Sequence, residues 1–230
     1  MNAKIPFDVW QWHAEALEQG AQEAIKLCDT DPVAGNIQFA SLWYSYATEP
    51  WQMLTGGFWR RRRLAREYAQ AALDANKGQE YPFTAGQCDT LATILKHVNP
   101  SLALELYNRG LVREDALPHE RGLLLIGKAE VLHQLRGGRS FQLAEEALKL
   151  ESQVMAEENK KQAHRQWLRV LRRAAFLLAI SDDHERRGRA TSLYWQAVWS
   201  AKHPEYGSYS QRRILLMRRP AFYWRLLRKH

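Results

Sequence analysis

The 230 residues suit one compact domain or one short repeat array, and at 46% hydrophobic the chain can fold without a disulfide or metal. Its longest apolar stretches, residues 123–126 and 174–180, fall far short of the ~20 residues of a membrane span, and no secretory signal is visible, so we expect a soluble cytoplasmic protein with no transmembrane segment. The net charge of +8 is uneven, because residues 1–161 sum to −3 and residues 162–230 to +11, which suits a local anionic partner.

Helix-forming residues dominate the chain, and no alternating strand pattern and no Asn-Gly or Asp-Gly turn interrupts them. Helix breakers and capping residues separate the helical stretches at short intervals. The sequence therefore predicts an all-α protein, with Ser101 and Ser140 as N-caps and Pro118 and Pro220 in first turns. The predicted helices cover residues 7–19, 21–28, 36–47, 58–76, 84–97, 101–113, 118–135, 140–158, 160–180, 185–201, 208–218 and 220–228.

Several of these helices repeat a pattern in which small or aromatic residues share one face. The copies are Ala65-Ala69-Ala72-Leu73, Ala103-Tyr107-Gly110-Leu111, Ser140-Ala144-Ala147-Leu148 and Ala190-Tyr194-Ala197-Val198. Small residues at this spacing let a neighbouring helix approach closely. The pattern resembles the tetratricopeptide (TPR) repeat family, most closely over residues 84–201.

The resemblance implies a right-handed α-solenoid of about five irregular helix–turn–helix hairpins. Residues 1–230 would form a single TPR-like domain that ends in a capping helix and carries its basic part at residues 162–230. Such a domain would be a non-catalytic adaptor or scaffold whose first helices line a groove for a protein or peptide.

Four consecutive arginines, Arg60, Arg61, Arg62 and Arg63, follow a glycine pair and open a predicted helix. Positive charge at a helix N-terminus opposes the helix dipole, and an anionic partner would relieve that repulsion. The alternative is that these side chains project into solvent or pair with Glu67 or other acids. This segment is therefore a candidate partner-binding site.

The helix predicted over residues 160–180 has one basic side, which we name the arginine face. Its members are Arg165, Arg169, Arg172 and Arg173, opposite a core stripe that includes Trp167 and Leu171. Arg186 and Arg187 follow at the start of the next helix, and no acid shares the arginine face. This face is the first candidate for partner binding, with an ordinary solvated helix face as the alternative.

The segment 220–228 predicts a short amphipathic helix with Phe222, Tyr223 and Leu226 on one side. Repeat arrays need a terminal helix that covers the last apolar face, so capping is the favoured interpretation. The alternative is docking on a partner or on an anionic membrane surface, and self-association through this helix is also open.

No sequence motif for catalysis occurs, since HExxH, GxSxG, P-loop and GxGxxG are all absent. Residues 182–185 are four potential metal ligands in a row on a predicted loop, and consecutive side chains cannot easily converge on one ion. Asp182 or Asp183 is instead expected as a helix N-cap. The pairs Glu145-Glu146 and Glu157-Glu158 diverge on their helix and are expected on a solvated face. Cys28 and Cys88 suit two buried or half-buried thiols, with a disulfide as the alternative. We therefore expect no enzyme, no cofactor and no metal site.

The favoured function is an adaptor for an acidic protein or peptide, because arginine makes bidentate contacts with carboxylates. The alternative is binding of RNA or single-stranded DNA through residues 162–230, driven by the phosphate backbone and therefore sensitive to salt. The residues expected to line the groove are Cys88, Ala92, Leu95, Arg172, Ala175 and Ala179.

Overall fold

The computed structural model describes residues 8–47, 57–77, 82–136, 139–203 and 209–227. All regular secondary structure within these ranges is helical, which confirms the all-α class for this part of the chain. None of the helices described there combines the length and apolar character that crossing a membrane requires. The helices are α1 (Asp8–Thr30), α2 (Pro32–Ala47), α3 (Gly57–Ala75), α4 (Ala85–Leu95), α5 (Pro100–Leu111), α6 (Pro118–Gln134), α7 (Ser140–Leu148), α8 (Glu151–Met155), α9 (Lys160–Leu178), α10 (His184–Ser200) and α11 (Tyr209–Leu227).

Contacts divide the chain into two compact units, Met1–Pro82 and Phe83–His230. In the first unit α1 packs on α2 and α2 packs on α3. The ring of Phe39 stacks on that of Tyr68, with centroids 4.7 Å apart. The single repeat domain expected over residues 1–230 stays a prediction.

In the second unit the helices pack in a recurring order. Helices α4, α6, α9 and α11 form a row in which each contacts the next. Helix α5 packs between α4 and α6, α7 packs between α6 and α9, and α10 packs between α9 and α11. Each of the first three helices of the row therefore has a partner helix that also contacts the following member of the row.

The repeated small-residue pattern lies at these helix contacts. The first three members of all four copies are buried, in α3, α5, α7 and α10. Gly110 of α5, for example, lies so close to Leu124 of α6 that a methyl group at position 110 would overlap the leucine side chain. The prediction that this face lets a neighbouring helix approach is confirmed.

Among the described glycines of this unit, Gly127 of α6 has the least space, because it lies against the buried ring of Tyr107 in α5. A Cβ atom at position 127 would overlap the ring and hydroxyl of Tyr107, and that hydroxyl is held 3.2 Å from Thr93 Oγ1. We expect Gly127→Ala to lower the free energy of unfolding by about 1–3 kcal/mol, because overpacking outweighs the gain in helix propensity. Urea denaturation measures the change.

The matched control is Gly188→Ala in α10, where the added methyl group would meet no atom within 4 Å. That substitution should stabilise the protein by about 1 kcal/mol through helix propensity alone. Equal stabilities for the two variants would contradict the close packing at Gly127.

Several predicted helix boundaries are wrong, and two of them concern helices that continue through a residue that disfavours the helical state. Helix α1 continues through Gly20, which packs against Leu42 of α2. Helix α2 begins at Pro32 rather than at residue 36. The helix expected over 140–158 divides into α7 and α8. Helix α11 runs unbroken with Pro220 in its interior, so Pro220 is not a first-turn residue.

Of the predicted N-caps, Ser101 and Ser140 are wrong and Asp183 is confirmed. Asn99 rather than Ser101 caps α5, since its side-chain oxygen accepts a hydrogen bond from Leu102 N at 3.1 Å. Arg139 occupies the N-cap position of α7, which places Ser140 inside the helix. The predictions for Pro118, in the first turn of α6, and for Asp183, the cap of α10, are confirmed.

Candidate partner-binding surface

Three aromatic side chains hold α11 against α9 and α10. Phe222 of α11 is fully buried, stacks on Tyr194 with centroids 4.2 Å apart, and meets Phe176 edge-on at 5.4 Å. The Tyr194 hydroxyl donates a hydrogen bond to Leu215 O at 2.5 Å. Arg225 donates from Nη1 to Phe176 O at 3.3 Å. These contacts set the position of the C-terminal helix over α9.

A buried ionic network joins α4, α6 and α9 beneath that helix. Arg173, with only 9% of its side chain exposed, donates from Nε and Nη2 to the carboxylate of Glu130 at 2.9 and 3.0 Å. Lys96 Nζ donates to the same carboxylate at 2.5 Å, and Asp89 lies 3.7 Å from Arg173 Nη1. Burial by itself would raise the pKa of Glu130, but the charges of Arg173 and Lys96 lower it well below its ordinary value.

The network corrects the prediction that Arg173 belongs to an open arginine face. Arg173 is buried, whereas Arg165 is exposed and Arg169 and Arg172 are half-buried. The physical reason is Glu130, whose carboxylate faces α9 from α6 and needs a positive partner once water is removed. Arg173 is therefore a structural residue.

Positive charge nevertheless gathers beside the network in what we name the arginine cluster, Arg169 and Arg172 of α9 with Arg218 and Arg225 of α11. Burial lowers the pKa of Arg172 to about 10, and the positive charges of Arg218 and Arg169 act in the same direction. Burial also lowers the pKa of Arg225, with Glu130 opposing and Arg218 adding to the shift. Arg172 thus lies within electrostatic range of Arg169 and Arg218, and Arg225 lies within range of Arg218.

The cluster carries more positive charge than its surroundings neutralise. Among the residues that the structure describes, no carboxylate lies within the 4.0 Å of an ion pair from Arg169, Arg172, Arg218 or Arg225. Arg169 instead donates to the neutral Gln166 Oε1 at 2.7 Å. A bound anion would relieve the mutual repulsion of these cations.

The sequence did not point to Arg218 and Arg225 as partners of the α9 arginines. Their part in the cluster depends on where α11 lies, which the aromatic contacts of Phe222 decide. The sequence indicated only that this segment is positively charged, since every charged residue after Glu205 is basic.

Arg186 and Arg187 of α10 are not part of the arginine cluster. Arg186 Nε donates to Glu145 Oε1 of α7 at 2.9 Å, and its guanidinium lies 5.6 Å from the centroid of the Phe141 ring. Arg187 is half-buried and lines a shallow depression together with Leu226. Partner binding by these two residues stays a prediction.

The arginine run of the first unit lies in the first turns of α3, as predicted. Arg60 is exposed and Arg61 is half-buried. The guanidinium of Arg62 lies 4.7 Å from the Phe58 ring centroid, and Arg63 pairs with Glu67 at 3.1 Å. The alternative of internal pairing is confirmed for Arg63, and partner binding by this run stays a prediction.

The solvated face expected for the paired glutamates is wrong for one member of each pair. Glu145 binds Arg186, whereas Glu146 is exposed. The side chain of Glu157 is only 8% exposed and accepts a hydrogen bond from the backbone N–H of His119 at 2.8 Å, while its other oxygen lies 2.6 Å from His119 Nδ1. Glu157 lies inside rather than on a solvated face because the buried imidazole of His119, at the start of α6, needs a polar partner.

The residues expected to line a groove are, except for Arg172, part of the core. Neighbouring helices cover α4 and α9 on more than one side, so their small and apolar residues pack inside. The buried residues are Cys88, Ala92, Leu95, Ala175 and Ala179. Both cysteines are free thiols, Cys28 half-buried and Cys88 buried, so the disulfide alternative is wrong.

No family model matches this chain, and no curated protein and no solved structure matches it either. Within the described ranges, no group of three or more His, Cys, Asp or Glu side chains is placed to hold a metal ion. Any proposal about function therefore rests on the helices and side chains described above.

Proposed function

We propose that this protein is a non-catalytic interaction module that binds an acidic segment of a partner protein through the arginine cluster. The observation that carries this proposal is the placement of Arg225 of α11 against α9, where it donates to Phe176 O at 3.3 Å, one turn from Arg172. Within the described residues, no carboxylate is in ion-pair contact with Arg225 or with the other three arginines of the cluster. Arginine presents a planar fork of donors that matches a carboxylate bidentately. A partner's aspartates and glutamates would supply the missing negative charge.

The packing order of the second unit supports a TPR-like arrangement for this module. Helices α4, α6, α9 and α11 would be the first helices of successive hairpins in a right-handed α-solenoid. In that arrangement the arginine cluster lies on first helices, the helices that line the groove of a TPR-like array. Helix α11 would also act as the terminal cap.

The surroundings of the cluster favour a peptide over a nucleic acid. Binding of single strands relies on exposed aromatic rings on which bases stack. The ring that lies in the cluster, Phe176, is covered by the Arg225 guanidinium 5.3 Å from its centroid and packs on Phe222. Two exposed rings favour RNA instead: Trp224 of α11, beside Arg225 in the sequence, is 58% exposed, and Trp199 of α10 is 60% exposed. Trp199 also lies under Lys202, with 4.0 Å from the ammonium to the ring centroid.

The test is fluorescence anisotropy with a labelled peptide rich in glutamate and aspartate, beside its glutamine and asparagine counterpart. We expect saturable binding of the acidic peptide alone, weakened at least about tenfold by Arg169→Gln/Arg172→Gln. The matched control Lys149→Gln/Arg189→Gln removes the same charge from two exposed positions and should change the affinity by less than about twofold. Thermal unfolding checks that both variants fold.

Three outcomes would contradict the proposal. The acidic peptide could fail to bind. The two double variants could weaken its binding equally, which would show that the affinity depends on net charge alone. Labelled single-stranded RNA could bind more tightly than the peptide and be lost in Arg169→Gln/Arg172→Gln, which would assign the surface to nucleic acid. Salt titration supports that last assignment if the affinity falls steeply.

A further inference from the structure

A groove of about 420 Å³ lies between α6 and α7, on the side of α6 turned away from Glu130. Leu125 and Leu132 of α6 form one wall. Leu143 of α7 and Leu150, in the turn that follows α7, form the other. We name it the leucine groove.

The two walls of the leucine groove carry the same spacing. Along α6, charged residues alternate with leucines at Arg121, Leu125, Lys128 and Leu132. On the other wall Arg139, Leu143, Glu146 and Leu150 repeat that order at the same intervals. On each wall the two leucines are one heptad apart, the interval at which one face of a partner helix repeats. Leu125 and Leu143 are 9% and 7% exposed, and Leu132 and Leu150 are half-buried, so the floor of the groove is apolar and the charged residues stand at its rim.

The rim of the leucine groove is mostly positive. Arg121 donates to two neutral acceptors, Arg113 O at 2.9 Å and Ala116 O at 3.3 Å, so its charge is not neutralised. Among the described residues, no carboxylate lies within the 4.0 Å of an ion pair from Arg121, Lys128 or Arg139. Glu146 is the single acid of the rim and is exposed. Charge complementarity thus calls for an acidic occupant.

We propose that the leucine groove binds an amphipathic α-helix of a partner protein, with apolar side chains at heptad spacing on one face and carboxylates beside them. Helices of this kind bind in apolar grooves through side chains that recur at one face of the helix. Its leucines would extend the two apolar walls, and its carboxylates would meet Lys128 and Arg139. This surface and the arginine cluster share no residue, so a scaffold could hold two segments at once.

The test uses a labelled three-heptad peptide with leucine at positions a and d and glutamate at positions e and g, where like charges keep the peptide monomeric. We expect saturable binding that Lys128→Glu/Arg139→Glu weakens at least about tenfold. Leu132→Gln should weaken it as well. Arg169→Gln/Arg172→Gln in the arginine cluster should leave this affinity within about twofold.

Two control peptides separate the apolar and the charged contributions. Serine in place of leucine keeps the charge, and lysine in place of glutamate keeps the leucines. Neither peptide should approach the affinity of the leucine–glutamate peptide. Comparable binding of either one, or no binding of the leucine–glutamate peptide at about 1 mM, overturns the proposal. Sedimentation as a dimer that Lys128→Glu/Arg139→Glu converts to a monomer would also overturn it, because a second copy of the chain would then fill the groove.

Discussion

Arg173→Met is expected to lower the free energy of unfolding by about 3–5 kcal/mol, because it leaves the carboxylate of Glu130 without its bidentate partner inside the protein. Arg173 supplies two of the hydrogen bonds to Glu130, at 2.9 and 3.0 Å, and Lys96 supplies another. The side chain of Glu130 is 23% exposed, so water cannot replace the arginine fully. Urea denaturation at neutral pH measures the loss.

The matched control is Arg189→Met, which makes the same replacement at an exposed position of α10. It should change the stability by less than about 0.5 kcal/mol. The double variant Glu130→Met/Arg173→Met should lose less than the sum of its single changes, because no unpaired carboxylate remains. A stability of Arg173→Met equal to that of the control would contradict the network.

The same network predicts a pH dependence. The pKa of Glu130 is lower in the folded protein than in the unfolded chain, where it is about 4.3. The unfolded state therefore binds the proton first, and the stabilisation that Glu130 provides above the unfolded pKa is lost as the pH falls toward the folded value. Between neutral and strongly acidic pH, the wild type should lose more stability than Glu130→Gln. Parallel stability curves for the two proteins would contradict the lowered pKa.

Phe222→Ala is expected to lower the free energy of unfolding by about 3–5 kcal/mol, the range for removing a buried aromatic side chain. Phe222 is fully buried between Tyr194 and Phe176, at centroid distances of 4.2 and 5.4 Å. Its loss removes the contacts that hold α11 against α9 and α10. Calorimetry or urea denaturation gives the change in stability.

The substitution also tests how the arginine cluster is assembled. Arg218 and Arg225 belong to α11, so displacement of this helix should weaken acidic-peptide binding together with stability. The matched control is Leu227→Ala in the same helix, whose side chain is 79% exposed and should change neither property measurably. A Phe222→Ala protein that binds and unfolds like Leu227→Ala would show that α11 is not held by this cluster.

Local sequence patterns determined the helical class and the close-packing faces of this protein. The small residues of the four repeated patterns are buried, because their period matches one face of an α-helix whatever lies opposite. Asp183 and Pro118 lie where their local chemistry placed them, since capping and a fixed φ act within one turn. Boundaries such as those at Gly20 and Pro220 do not follow from local patterns, because contacts made elsewhere stabilise a helix through an unfavourable residue.

The tertiary structure alone decided which arginines are available to a partner. Arg172 and Arg173 are adjacent and look equivalent in the sequence, yet one takes part in the arginine cluster and the other pairs with Glu130, 43 residues away. The leucine groove likewise forms only when two helices lie side by side. Helical periodicity is a property of a few neighbouring residues, whereas the burial and pairing of a charge depend on which distant side chain the fold places opposite it.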